Sequence, residues 1–250
     1  MIVRYLWSIW TWFVSALLFL LWVPMMAVVR LFDRDPLVIR TGRFLRVLGK
    51  LLIGVHFPTL YLSGLENISQ GQNYMVVVNH QSFIDIPLVA YLPLDSKCMA
   101  RADLFRIPWV GWTLLMSKQI AIDRKDPRNA ARAMLQCVRV LKGGCSILIY
   151  PEGTRSPDGE LLPFSEGPFQ LALRQKVPVL PVVIDGTGNN LGKNAALFER
   201  RHPMFMTVLP AIPIAPWDGR QASELRDMVW EKMAAELARL RAANPDAEPA

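Results

Sequence analysis

Three textures of hydrophobic and polar residues succeed one another along the chain. From Tyr5 to Val29 there are 25 residues without a charge, bounded by Arg4 and Arg30. As one helix this stretch is about 37 Å long, against a bilayer hydrocarbon core of about 30 Å. Pro24 predicts a break or bend, which leaves about 28 Å of helix before it and makes a full span marginal. Trp7, Trp10, Trp12 and Trp22 stand towards the two ends, as indoles do when they anchor at membrane interfaces. The stretch is longer than the apolar region of a secretory leader and no small-x-small cleavage site follows, so it reads as a retained element. Its polar residues define no helical face, which argues against a helix packed in a soluble core.

Residues 41–56 then repeat at helical spacing. Leu45, Leu48, Leu52 and Val55 form an apolar stripe, and Arg43, Arg46 and Lys50 a basic one. The pattern suits a helix in the plane of a membrane interface with its cations at lipid phosphates, or one packed on the domain. After Tyr61, short apolar runs alternate with helical patterns, as in an α/β domain. Tyr74–Val78 and Cys145–Ile149 read as buried strands. Asp126-Pro127 opens a helix with the stripe Ala131, Met134, Leu135, Val138 and Leu141, and Gly143-Gly144 closes it. Residues 177–184 read as a strand near a sheet edge, because Pro178 and Pro181 cannot donate to a ladder. A charged amphipathic helix is expected over 221–243, followed by a frayed tail.

Composition changes this picture in one respect. Hydrophobic residues make up 52% of the chain and there are eight tryptophans, high for a purely soluble protein. Of the net charge of +7, +5 lies in residues 1–50, where seven Arg and Lys face two acids. No nucleic-acid recognition motif is present and the basic residues flank apolar segments, so anionic lipid headgroups are the better partner. Cys98, Cys137 and Cys145 lack C-x-x-C or metal-like spacing and read as reduced core residues of a cytosolic domain. His56 and His202 have no acidic or thiol neighbours, so no metal site is expected.

The chemistry concentrates after two strands. Val78-Asn79-His80-Gln81-Ser82-Phe83-Ile84-Asp85 follows the first, where α/β folds tend to place their sites. On one continuous helix His80 and Asp85 would point about 140° apart, so they meet only with His80 in the preceding turn and Asp85 on the helix. The carboxylate then bonds one ring nitrogen and leaves the other free as a base. Ser82 lies in no G-x-S-x-G elbow and reads as a helix cap. Tyr150-Pro151-Glu152-Gly153-Thr154-Arg155-Ser156 follows the second strand. Gly153 permits close backbone approach, Arg155 offers a planar fork to phosphate, and Thr154 and Ser156 add donors. The competing reading is a polar turn in which Arg155 pairs with Glu152.

Together these residues resemble the glycerolipid acyltransferase family, specifically its bacterial 1-acylglycerol-3-phosphate acyltransferases. The resemblance covers residues 61–215 in four ordered blocks: Asn79–Asp85, Ile122-Asp123-Arg124, Glu152–Ser156 and Val177–Val182. It implies an α/β fold, a single mixed, mostly parallel sheet flanked by helices in residues 61–250. Residues 1–60 would form a two-helix element that docks on one membrane leaflet. It implies His80 as general base and Asp85 as its orienting partner, with Asn79, Arg101, Arg124, Glu152, Gly153, Thr154, Arg155 and Ser156 at the acceptor. Arg101 stands where relatives generally carry lysine, and Lys118 where they commonly carry glycine. Aromatics within Leu104–Trp112 are expected either to line an acyl channel or to pack in the core.

The implied reaction moves an acyl group from acyl-CoA or acyl-carrier protein to the sn-2 hydroxyl of 1-acyl-sn-glycerol 3-phosphate (lysophosphatidic acid). Its product is phosphatidic acid, formed without a cofactor at the cytoplasmic side of a bacterial inner membrane. Three alternatives stay open: another lysolipid acceptor such as a lyso-ornithine lipid, a non-catalytic lipid-binding membrane protein, and a soluble thioesterase.

Overall fold

The structure, a computed structural model, describes residues 2–57, 59–123, 125–199 and 202–244. Helix α1 (Ile2–Phe32) continues through Pro24, so of the break or bend expected there the break does not occur. Its 31 residues extend about 46 Å, long and apolar enough to cross a membrane. Packing on α2 (Ile39–His56) braces the helix around the proline. Met26 is buried, and the Trp22 indole stacks on Phe44 at 4.5 Å while its Nε1 donates to the Phe44 carbonyl.

Helix α1 is also tied to the body of the protein near its start. Arg4 pairs with Glu199, the Ser8 hydroxyl accepts from the Phe198 N–H at 2.8 Å, and Trp12 Nε1 donates to the Ala196 carbonyl at 2.9 Å. Val47, Leu51 and Val55 leave an exposed apolar face on α2. Its basic residues behave differently from the interfacial expectation. Arg43 and Arg46 both grip Asp95, at 2.7 and 3.1 Å, and Lys50 lies over the Tyr91 ring. The cations therefore tie α2 to the domain, because a carboxylate distant in sequence lies directly beneath them.

The sheet has seven strands in the order β1-β7-β6-β2-β5-β3-β4. These are β1 (Leu60–Ser63), β2 (Met75–Val78), β3 (Ser96–Arg101), β4 (Ile120–Ile122), β5 (Ser146–Ile149), β6 (Val179–Asp185) and β7 (Met204–Val208). All neighbours are parallel except β6 and β7. Strands β2 and β6 are buried at every position, as expected for strands covered on both faces. On one face Met75 and Val77 pack under α5 (Pro127–Lys142), α6 (Gly167–Gln175) and α8 (Ala222–Ala243). On the other, Val76 and Val78 meet Ile53 of α2 and Leu88 of the one-turn helix α3 (Asp85–Leu88).

Strand β6 lies between β7 and β2, which corrects the edge placement read from its prolines. A bulge admits Pro181. From Val182↔Val208 to Val179↔Ile212, three steps on β6 face four on the partner, so the ladder is offset where proline lacks its donor. The Pro181 carbonyl still accepts from Leu209 N–H at 2.9 Å.

Helix α4 (Val110–Met116) lies against α1. Trp109 and Trp112 meet edge to face at 4.9 Å on its surface, both exposed, so they do not pack in the core. Lys118 has φ 51, the left-handed region in which glycine is least strained. Its ammonium donates to the Pro36 carbonyl at 3.0 Å, fastening the end of α4 to the α1–α2 connection. All three cysteines are unpaired, and burial pushes their thiols up to about 12, 12 and 11 for Cys98, Cys137 and Cys145, far from thiolate reactivity.

Candidate active site

The parallel strands β2, β5, β3 and β6 all end on one rim of the sheet, and the candidate residues follow those ends. His80 lies two residues beyond β2 and Asp85 opens α3, the in-turn and on-helix placement their spacing requires. His80 Nδ1 donates to Asp85 Oδ2 at 2.7 Å, leaving Nε2 as the free acceptor. The histidine side chain is 15% exposed and the aspartate fully buried, so the base is reachable while its partner is sealed from water.

A buried carboxylate needs donors in place of the water it has lost. Asp85 Oδ2 also accepts from the N–H groups of Gln81 and Ser82 at 2.7 and 2.8 Å. Its Oδ1 accepts from the Thr187 hydroxyl at 2.5 Å. The Ser82 hydroxyl donates to the Leu191 carbonyl at 2.7 Å and accepts from Ile84 N–H, so it braces the turn.

The loop after β5 clasps His80 by its backbone. Glu152 Oε1 accepts from the His80 N–H at 2.9 Å, and the Ser156 N–H donates to the His80 carbonyl at 2.7 Å. The Tyr150 ring stacks on the imidazole at 4.1 Å between centroids. Burial pushes the Glu152 carboxyl up to about 7, although the N–H groups of His80 and Leu162 pull the other way. Gly153 turns the chain at φ 76, and its N–H donates to the Tyr150 carbonyl. The Ser156 side chain is buried and its hydroxyl donates to Asp158.

The cations face outward. Arg155 lies over the Phe83 ring at 4.3 Å rather than on Glu152; partial burial lowers its pKa, the Asp85 charge opposes that, and nearby Arg101 adds to it. Arg101 ends β3, is exposed and pairs with Asp103 at 2.6 Å. Thr154 is exposed. Asn79 is turned away from the cleft: its Oδ1 accepts from Ile184 N–H at 2.7 Å and its Nδ2 donates to the Ile184 carbonyl at 2.8 Å. That pair clamps the loop to β6. Arg124 lies outside the described residues.

His80, Asp85, Glu152 and Arg155 are thus brought together, while Asn79 and Ser156 are scaffold. Sequence reasoning missed Thr187, Tyr150 and Gln81, whose Nε2 donates to Asp185 at 3.0 Å. Only the Gly186-Thr187 turn just after an apolar run hinted at the first. Phe83 and Ile86 add an exposed apolar rim beside the dyad. Among the described residues no group of three or more His, Cys, Asp or Glu is placed to hold a metal ion. An open groove of about 910 Å³ between residues 209–217 and α8 contains none of the residues around His80.

The chain resembles known 1-acylglycerol-3-phosphate acyltransferases in sequence and in structure. A chloroplastic 1-acyl-sn-glycerol-3-phosphate acyltransferase of Brassica napus is 36% identical over 164 residues, 64% of this chain and 46% of that protein. One from Arabidopsis thaliana is 38% identical over 133 residues, 53% of this chain and 37% of that protein. The chain therefore spans less than half the length of these two relatives. The crystal structure of the 1-acyl-sn-glycerophosphate acyltransferase of Thermotoga maritima matches with a TM-score of 0.82 at 27% identity, covering 96% of this chain and 97% of that one. Residues 59–185, just over half the chain and including His80, Asp85 and the clasp after β5, match the family model described as Acyltransferase, and the chain belongs to that family.

Proposed function

We propose that the protein transfers an acyl group from a thioester to the sn-2 hydroxyl of 1-acyl-sn-glycerol 3-phosphate, giving phosphatidic acid. The observation that carries this reading is the 2.7 Å contact between His80 Nδ1 and a sealed Asp85, with Nε2 left open. Nε2 takes the hydroxyl proton as the oxygen attacks the thioester carbonyl. The C–O bond forms, the tetrahedral intermediate collapses, and the C–S bond breaks. The imidazolium, stabilised by Asp85, returns the proton to the departing thiolate. Arg155, with Thr154 and Arg101 beside it, holds the acceptor phosphate.

The donor is a soluble thioester, acyl-CoA or acyl-carrier protein, and the acceptor is drawn from a membrane. The exposed apolar faces of α1 and α2 dock on one leaflet and bring the dyad to it. With soluble cytosolic donors, that leaflet is the cytoplasmic one of a bacterial inner membrane.

Purified full-length protein in vesicles, given thioester and lysophosphatidate, tests the reaction by thiol release and lipid product. His80→Ala is expected to lower turnover by about 10²–10⁴-fold while remaining folded. Turnover near that of the unmodified protein would remove His80 from the mechanism. Arg155→Ala is expected to raise KM at least about tenfold for the phosphate acceptor and to leave a lysolipid without a phosphomonoester unaffected. Equal effects on both would point to a different headgroup site.

A further inference from the structure

We propose that Thr187 is a positioning residue for the dyad, acting through the oxygen of Asp85 that His80 does not use. The inference rests on the transfer reaction proposed above and adds a residue from a separate segment.

Asp85 carries two oxygens in a site with no exposure to solvent. Three donors converge on Oδ2: the imidazole and two backbone N–H groups from the same turn. Those three alone leave Oδ1 bare in a site closed to water, and a buried carboxylate so unevenly satisfied is drawn to turn about its Cβ–Cγ bond and share out the donors on Oδ2. The Thr187 hydroxyl satisfies Oδ1 and removes that pull. It donates to Oδ1 at 2.5 Å and is itself fully buried. Gln81 Oε1 lies 3.5 Å from the same hydroxyl, too far to compete for its single proton.

Thr187 is placed by a different part of the fold. It follows β6 as the first residue of α7 (Thr187–Asn190), one position past the αL residue Gly186. The Asn79–Ile184 clamp ties this strand end to the His80 loop, so β6 delivers the hydroxyl in register with the carboxylate. With both oxygens held, the Oδ2 lone pair stays aimed at Nδ1. The tautomer that frees Nε2 is then fixed before substrate arrives.

The test compares the unmodified full chain with Thr187→Val and Thr187→Ser in the vesicle assay, after thermal unfolding shows that each variant folds. Valine keeps the shape and removes the donor; serine keeps the donor and removes the methyl. Thr187→Val is expected to lower kcat by about 10–100-fold with KM for both substrates within about twofold. Thr187→Ser is expected to stay within about threefold of the unmodified rate. The downfield proton resonance between His80 Nδ1 and Asp85, identified by its loss in Asp85→Asn, is expected to move upfield in Thr187→Val and to stay in place in Thr187→Ser. Should the valine variant not fold, Thr187→Ala takes its place with the same expectations. An unchanged kcat and resonance without the hydroxyl overturns the proposal, as does a serine variant as slow as the valine one. Full activity in His80→Ala would instead overturn the reaction itself, so the two failures are distinguishable.

Discussion

Glu152 carries a stability consequence of its own. Burial pushes its carboxyl from the ordinary 4.5 to about 7, so the folded chain holds this proton more tightly than the unfolded one. Its contribution is fully present below pH 4.5 and is lost as pH rises through 7. At about 1.4 kcal/mol per pH unit, the difference is of the order of 3 kcal/mol. The thermal midpoint of the unmodified protein is therefore expected to fall relative to Glu152→Gln between pH 5 and 8, and parallel curves would refute the assignment. The same residue shows what a motif conceals. His80 and Asp85 were legible because their pairing is a matter of five residues of local geometry. Glu152, read as a ligand for the acceptor, spends both oxygens on the N–H groups of His80 and Leu162. Asn79 likewise spends its amide on a strand 105 residues away. A side chain's motif membership was visible, but not whether it faces a substrate or a neighbouring loop, because the deciding partner is remote.

Among the elements, α2 bears directly on the site through its close packing on the α3 segment. A Cβ added at Gly49 would lie 2.7 Å from Ala90 Cβ and 3.0 Å from the Pro87 carbonyl oxygen, whereas one at Gly54 would meet nothing within 4 Å. Gly49→Val is expected to push α2 off the turn that carries Asp85, costing about 1–3 kcal/mol and lowering kcat. Gly54→Ala is expected to be neutral or to stabilise by up to about 1 kcal/mol. Thermal unfolding and turnover check both, and equal effects at the two glycines would refute the packing argument. Helices α5 and α8 were readable to within a residue or two, from Asp126-Pro127 and from charge spacing. Strand β6 was misplaced because its prolines were weighed without the bulge that admits them. The basic stripe of α2 left two readings open because Asp95, the charge that turns Arg43 and Arg46 inward, belongs to another segment.

At the scale of the whole molecule, the seating of α1 bears on the membrane docking proposed above. Its first turns are bound at residues 196–199 and its later ones at α2 and α4, so both ends rest on one body. A helix crossing a hydrocarbon core would place its start about 30 Å away on the opposite side. On vesicles, protease added from outside is therefore expected to remove an N-terminal tag and to digest the domain on the same time course. A protected tag beside a digested domain would establish a span. An α/β domain with apolar helices before it was readable from texture alone; the seating of α1 on that domain was not, since hydropathy records length and not direction.

On the proposed transfer reaction, the joining of distant segments around one carboxylate also governs when the chemistry becomes available. Asp85 leaves the ribosome 102 residues ahead of Thr187, and His80 leaves it 72 residues ahead of Glu152. A nascent chain that has exposed its apolar helices and both dyad residues still lacks the groups that hold them in place. The site is complete only once β6 has inserted beside β2, so on that reaction unfinished polypeptides are expected to turn over thioester poorly.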